Sequence, residues 1–153
     1  MPDALARTRP ASNSDDIASA LDDHPPHLLR RAHQRACAAF QEALAGKQLT
    51  PSQFFAMVRL NEVKRLSQNH LGRLAAMDPA TIQGVVRRLL ERGLIMRVAD
   101  PHDRRRKVLS LTREGAAVTN RLLKASESVI DEILAPLNAR EQELLIEMLK
   151  RIV

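Results

Sequence analysis

The chain is nearly without aromatic side chains, with three Phe and neither Trp nor Tyr in 153 residues. That scarcity argues against single-stranded nucleic-acid modules, which stack bases on aromatic faces, and against an aromatic-rich β-sandwich. Apolar residues still make up 44% of the chain, so the core must be aliphatic, which suits packed helices in one domain or two fused lobes. A single cysteine, Cys37, excludes an intramolecular disulfide. No apolar run approaches the roughly 18–20 residues of a membrane span, and the opening MPDALARTRPASNSDD lacks the hydrophobic core of a secretory signal. The expectation is a cytoplasmic protein with no membrane partner. His24, His27, His33, His70 and His102 show no H-x-x-x-H or Cys/His ligand spacing, and there is neither a glycine-rich phosphate loop nor a Ser/His/Asp set. No metal, no cofactor and no enzyme activity are therefore expected.

What is present is positive charge in one place. Residues 64–107 carry eleven basic and four acidic side chains, a net +7 in a chain whose total is +6, which leaves −1 for the rest. A basic middle between near-neutral flanks points to a local polyanion site.

Residues 1–23 are small, polar and proline-containing and read as a mobile arm, with a short helical piece around Asp15 to Leu21. From His27 to Ala45, apolar residues recur at helical spacing, and Gly46 is placed to end that helix. Thr50 followed by Pro51 opens a second helix running to about Val63, and Ser67 caps a short third one ending near Met77. Asp78 caps a fourth, in which Ile82, Val85, Val86, Leu89 and Leu90 form one apolar face and Gly93 is the stop. Leu94–Val98 and Lys107–Leu111 read as strands around an eight-residue loop, Ala99–Arg106. Thr112 then caps a long fifth helix ending at Pro136, with Gly115 in its first turns. Asn138 and Glu141 form a capping box for a sixth helix bearing Leu144, Leu145, Met148, Leu149 and Ile152. The predicted class is mainly α with a small β-hairpin, a winged helix-turn-helix that reads double-stranded DNA.

Within that outline the fourth helix is the reader. Opposite its apolar stripe lie Pro79, Ala80, Thr81, Gln83, Gly84, Arg87 and Arg88: small residues that allow close approach, Gln suited to adenine, Arg suited to guanine, and Ala or Thr suited to the thymine methyl. The loop carries Arg104, Arg105 and Arg106; Asp103 can hold one arginine, most simply Arg104, while Arg105 or Arg106 extends into a narrow minor groove. Lys64, Arg65, Arg73 and Lys107 supply phosphate contacts, and Thr112 with Asp103 supports the wing.

The motif D-P-H-D-R-R-R-K-V-L-S-L-T-R-E-G, Asp100 to Gly115, resembles the wing signature of the MarR family of bacterial transcription factors. The preceding D-P-A-T-I-x-x-V-V-x-x-L-x-x-x-G-L-I matches its reader helix and entry to the wing. The resemblance covers about five-sixths of the chain, from His27 to Val153. It implies a homodimer in which the first, fifth and sixth helices of two chains intertwine, and the apolar faces of the first and last helices agree with that. The organisation expected is an arm over 1–23, a helical dimerisation lobe over 24–48 and 113–153, and the winged helix-turn-helix over 49–112. Two symmetric readers imply a near-palindromic operator with half-sites roughly 34 Å apart.

The resemblance further implies a repressor released by a small aromatic carboxylate or phenolic effector bound between the lobes. Candidates for that site are His33, Cys37 and Phe40 on the first helix with Phe54, Phe55, Val58 and Arg59 on the second. One branch of the family senses peroxide through a first-helix cysteine supported by tyrosine hydroxyls, and this chain has no tyrosine, so Cys37 is expected to be structural. The alternatives to a ligand-released repressor are a Cys37-based redox regulator, a non-specific architectural DNA binder, and a winged-helix module that binds protein. The last predicts an apolar or acidic reader face, which Gln83, Arg87 and Arg88 do not provide.

Overall fold

The computed structural model describes residues 23–103 and 105–153. The expected arm, with its helical piece around Asp15 to Leu21, lies outside these residues apart from Asp23. The described residues form six α-helices and one hairpin: α1 Pro25–Leu44, α2 Pro51–Val63, α3 Gln68–Leu74, α4 Pro79–Glu91, β1 Ile95–Ala99, β2 Lys107–Leu111, α5 Arg113–Leu134 and α6 Ala139–Ile152. The chain divides into two units, 1–36 and 37–153, the break falling inside α1 between Ala36 and Cys37. In the first unit α1 is largely exposed, including Leu28 and Leu29.

The second unit holds the core. Its centre is α2, which packs against α3, α4, α5 and β2 and buries Phe54, Ala56, Met57 and Leu60. Thr50 caps α2 in a reciprocal box with Gln53: the Gln53 N–H donates to Thr50 Oγ1 at 3.3 Å and the Thr50 N–H to Gln53 Oε1 at 3.0 Å. α4 contributes Ile82, Val85, Val86 and Leu89, all buried, and the strands add Ile95, Val108 and Leu109.

Three boundaries differ from the sequence reading. α1 passes at Leu44 into a short 3-10 turn, Ala45–Lys47, and the left-handed residue ending it is Gln48 (φ 54°), not Gly46. α3 stops at Leu74, three residues before Met77, as Ala76 takes φ 52°. β1 begins at Ile95 and includes Ala99, which pairs with Lys107, so the loop is seven residues, Asp100 to Arg106. Leu94 is left outside: its N–H donates back to the Leu89 carbonyl of α4 at 3.0 Å, although its carbonyl still accepts from the Thr112 N–H at 3.1 Å. The fourth helix does stop where glycine permits, with Gly93 at φ 66°.

Two contacts lock the hairpin to the helices. Leu66, between α2 and α3, forms an antiparallel bridge with Leu109, with N–O distances of 3.1 and 2.7 Å. At the other end, a Cβ on Gly115 would stand 1.9 Å from the Leu94 carbonyl oxygen, so only glycine lets α5 start this close to the wing.

Candidate nucleic-acid interface

The reader helix is held at its first turn by Asp78. One carboxylate oxygen accepts from the N–H groups of Ala80 (3.0 Å) and Thr81 (2.9 Å), and the other accepts the Thr81 hydroxyl. These bonds, the Thr81 hydroxyl first, hold the Asp78 carboxyl below the ordinary carboxylate range. They also occupy the donors that a phosphate would otherwise meet at this helix end. What Thr81 still offers outward is its methyl group, suited to apolar contact with thymine.

Pro79, Ala80, Thr81, Gln83, Arg87 and Arg88 are exposed on one side of α4, opposite its buried stripe. Gly84 sits among them, and an added Cβ there would meet nothing within 4 Å. No internal packing therefore requires glycine at a position where it costs about 1 kcal/mol of helix propensity. Arg88 lines a shallow groove of about 340 Å³ with Thr50, Ser52 and Gly84. Arg87 lines another of about 360 Å³ with Gln68, Gln83 and Arg97, and lies 3.9 Å from Glu91 Oε1 in an exposed pair worth little. Arg97 and Gln68 were missed from sequence. Arg97 reads there as the polar residue of an alternating strand, and nothing local says that β1 sets it beside α4.

The wing is organised by its two aspartates. Asp100 Oδ1 accepts from the His102 N–H at 2.9 Å, and Asp103 Oδ1 accepts from the Arg105 N–H at 3.0 Å. Across the loop base, the Asp100 N–H donates to the Arg106 carbonyl at 3.0 Å and the Arg106 N–H to the Asp103 carbonyl at 2.9 Å. Asp103 thus shapes the backbone that presents Arg105 and Arg106, both exposed; Arg104, and the pairing expected for it, lies outside the described residues. Lys64, Arg65, Arg73 and Lys107 are all exposed. Thr112 joins wing to helix: its Oγ1 donates toward the Gly93 (2.8 Å) and Leu94 (3.2 Å) carbonyls and accepts from the Gly115 N–H at 3.0 Å.

The candidate effector residues separate. Phe40, Phe54 and Phe55 form one cluster, with ring centroids 5.4–6.0 Å apart. Beside it a crevice of about 10 Å³, room for one water, is lined by Phe40 and Leu44 of α1, Phe54 of α2 and Leu122, Ser126 and Val129 of α5. Ser126 and Val129 were not foreseen, since a buried serine inside an apolar stripe looks like an interruption. Val58 is half-buried against the core. Cys37 is half-buried, and His33 belongs to the first unit, where it is exposed. Arg59 does not line the crevice; its Nε donates to the Leu74 carbonyl at 3.2 Å and its guanidinium pairs with Glu62 at 2.8 Å.

Among the described residues no cluster of His, Cys, Asp or Glu is arranged to hold a metal, and no helix is long and apolar enough to cross a membrane.

Comparison with known proteins gives one family. Residues 49–107 match the model of the MarR family. The repressor NicR of Pseudomonas putida is 33% identical over 148 residues, covering 96% of this chain and 94% of that protein. A probable transcriptional regulator from Pseudomonas aeruginosa superposes with a TM-score of 0.81 at 48% identity, covering 87% of this chain and 99% of that one. BpsR of Bordetella bronchiseptica, whose DNA binding is regulated by 6-hydroxynicotinic acid, superposes with a TM-score of 0.79 at 30% identity over 94% of this chain and 97% of its own.

Proposed function

The chain belongs to the MarR family, and on that premise we propose that it is a homodimeric DNA-binding regulator, a repressor that leaves a near-palindromic operator when a small aromatic acid binds. The observation that carries the reading is the two-sidedness of α4. One side is sealed in the core by Ile82, Val85, Val86 and Leu89, while the other presents exposed Gln83, Arg87 and Arg88 around an open Gly84. A helix that spends glycine on an open outer face is shaped for something that comes close, and the base edges of a major groove do so. Arg105, held out by the Asp103 turn, suits a minor groove, and Lys64, Arg65, Arg73 and Lys107 the backbone.

Residues 49–112 act as the reading lobe, and α5 and α6 belong to the dimerisation lobe. α6 buries none of its residues and exposes Leu144, Met148 and Ile152 along one face, the surface a second copy would cover. The protein works in the cytoplasm and has no catalytic role.

The effector site is the ring cluster and the crevice beside it. At about 10 Å³ the crevice admits no aromatic acid, so binding must part Phe40 and Phe54 from α5. Because α5 begins at Thr112, whose hydroxyl is bonded to the base of the wing, that displacement reaches the reading lobe. The test is fluorescence anisotropy of a duplex selected from a random pool, with hydroxylated aromatic acids such as 6-hydroxynicotinic acid added. At least one should weaken binding by about 5–150-fold, the usual size of such coupling. Unchanged affinity together with no thermal shift across the whole panel would remove the ligand-release reading.

A further inference from the structure

A cleft of about 320 Å³ opens between the wing and the segment leading into α3, and Arg65, Ser67, His70, Asp100, His102 and Arg106 line it. Three separate stretches of sequence supply its cationic and imidazole side chains, and each is held by backbone contacts. The Leu66–Leu109 bridge ties the segment bearing Arg65 to β2. The turn at Lys64 (φ 72°, ψ −45°), closed by the Arg65 N–H on the Val63 carbonyl at 2.9 Å, sets the direction of that segment. The Asp100 turn fixes His102, and the bond from the Asp100 N–H to the Arg106 carbonyl fixes the far side.

Among the described residues, the side chains of Arg65, His70, His102 and Arg106 take no hydrogen bond or ion pair with the protein. Two guanidinium groups and two imidazoles therefore face one cleft against a single carboxylate, Asp100. An open, polar cleft of this kind suits an oxyanion with several acceptor oxygens, and guanidinium meets phosphate in a bidentate fork.

We propose that this cleft seats a phosphodiester of the DNA backbone, with His70 and His102 as phosphate ligands beside Arg65 and Arg106. The inference rests on the DNA-binding reading above. It adds a clamp that joins the first helix of the helix-turn-helix to the wing, so that one phosphate is held by both. Asp100 is the opposing charge inside the clamp as well as the residue that shapes the His102 turn.

The test uses the full chain and two duplexes, one selected from a random pool by the wild type and one of mixed sequence. Arg65→Ala should weaken both by the same factor, roughly tenfold, and reduce the slope of log K against log salt by about 1. His70→Gln should do the same to a smaller extent. Asp100→Asn keeps an oxygen to accept from the His102 N–H and should tighten both duplexes. Among the positions where a neutral methylphosphonate costs the wild type affinity, one per half-site should cost Arg65→Ala far less, and the others should cost both proteins alike.

Folded Arg65→Ala and His70→Gln proteins with wild-type affinity and slope would overturn the clamp, as would a loss confined to the selected duplex. If inorganic phosphate bound the wild type but not Arg65→Ala while their DNA affinities stayed equal, the cleft would be a free-anion site and the backbone assignment would fall. A wild type that bound neither duplex would instead overturn the regulator reading itself.

Discussion

α4 and α6 are built on one plan and meet different fates. Each starts at an Asp or Asn cap, each runs 13 or 14 residues, and each carries a single apolar stripe. The stripe of α4 is sealed inside its own chain, whereas no residue of α6 is buried and Leu144 and Met148 remain 47% and 48% exposed. An amphipathic pattern says that a face must be covered; only the structure says whether the same chain covers it. α4 is thereby free to point its polar side at DNA, and α6 is left with an apolar side that needs a second molecule.

The largest effect should come from charging that uncovered face. Leu144→Asp with Met148→Asp should convert dimer to monomer at micromolar concentration by sedimentation analysis, with a Kd raised at least about a hundredfold, since two large apolar side chains are each worth roughly 1.5–3 kcal/mol of burial. Ile82→Ala in α4 should instead cost about 2–5 kcal/mol through the cavity it leaves, wherever the dimer equilibrium lies. If the paired Asp variant stays dimeric, the contrast between the two helices fails.

A smaller effect distinguishes the two caps. Asp78→Ala should lower the melting temperature. Because the folded Asp78 carboxyl sits below its ordinary value, the stability it contributes is fully present above about pH 4 and is lost as pH falls through the folded value. The melting difference between wild type and Asp78→Ala should therefore hold from pH 8 to about pH 5 and close in stronger acid. A gap that persists unchanged in acid would mean that the carboxylate is not what caps α4.

The smallest change in stability, with the opposite sign in function, is expected at Gly84. Alanine there meets open space and should raise stability by about 0.5–1 kcal/mol, while the added methyl stands where DNA approaches and weakens duplex binding. Equal or tighter binding would show that this side of α4 does not face DNA.

Most of this architecture is legible in the sequence because it is local. Thr50-Pro51, Ser67, Asp78, Thr112 and Asn138 are caps, and each starts the helix expected of it. The stripe from Ile82 to Leu90 and the stop at Gly93 need only neighbours three or four residues away. Long-range features were not legible. The Leu66–Leu109 bridge is one residue pair with no periodicity to betray it, and the cleft it forms with the wing was invisible for the same reason. Gln48, not Gly46, takes the left-handed turn, after the chain tightens into a 3-10 turn between the buried Leu44 and Leu49. Gly115 could be placed in a first turn, yet its reason, the Leu94 carbonyl, lies 21 residues back in sequence and only in space beside it.

The central claim is that a dimer of this chain reads duplex DNA through α4 and the wing. The most direct measurement is the binding of wild type and Arg105→Ala to a selected duplex across a salt series. The account predicts two chains per duplex, a steeply negative slope of log K against log salt, and strongly weakened binding by a folded Arg105→Ala. A flat salt dependence, or an Arg105→Ala protein that binds like the wild type at physiological salt, would contradict it.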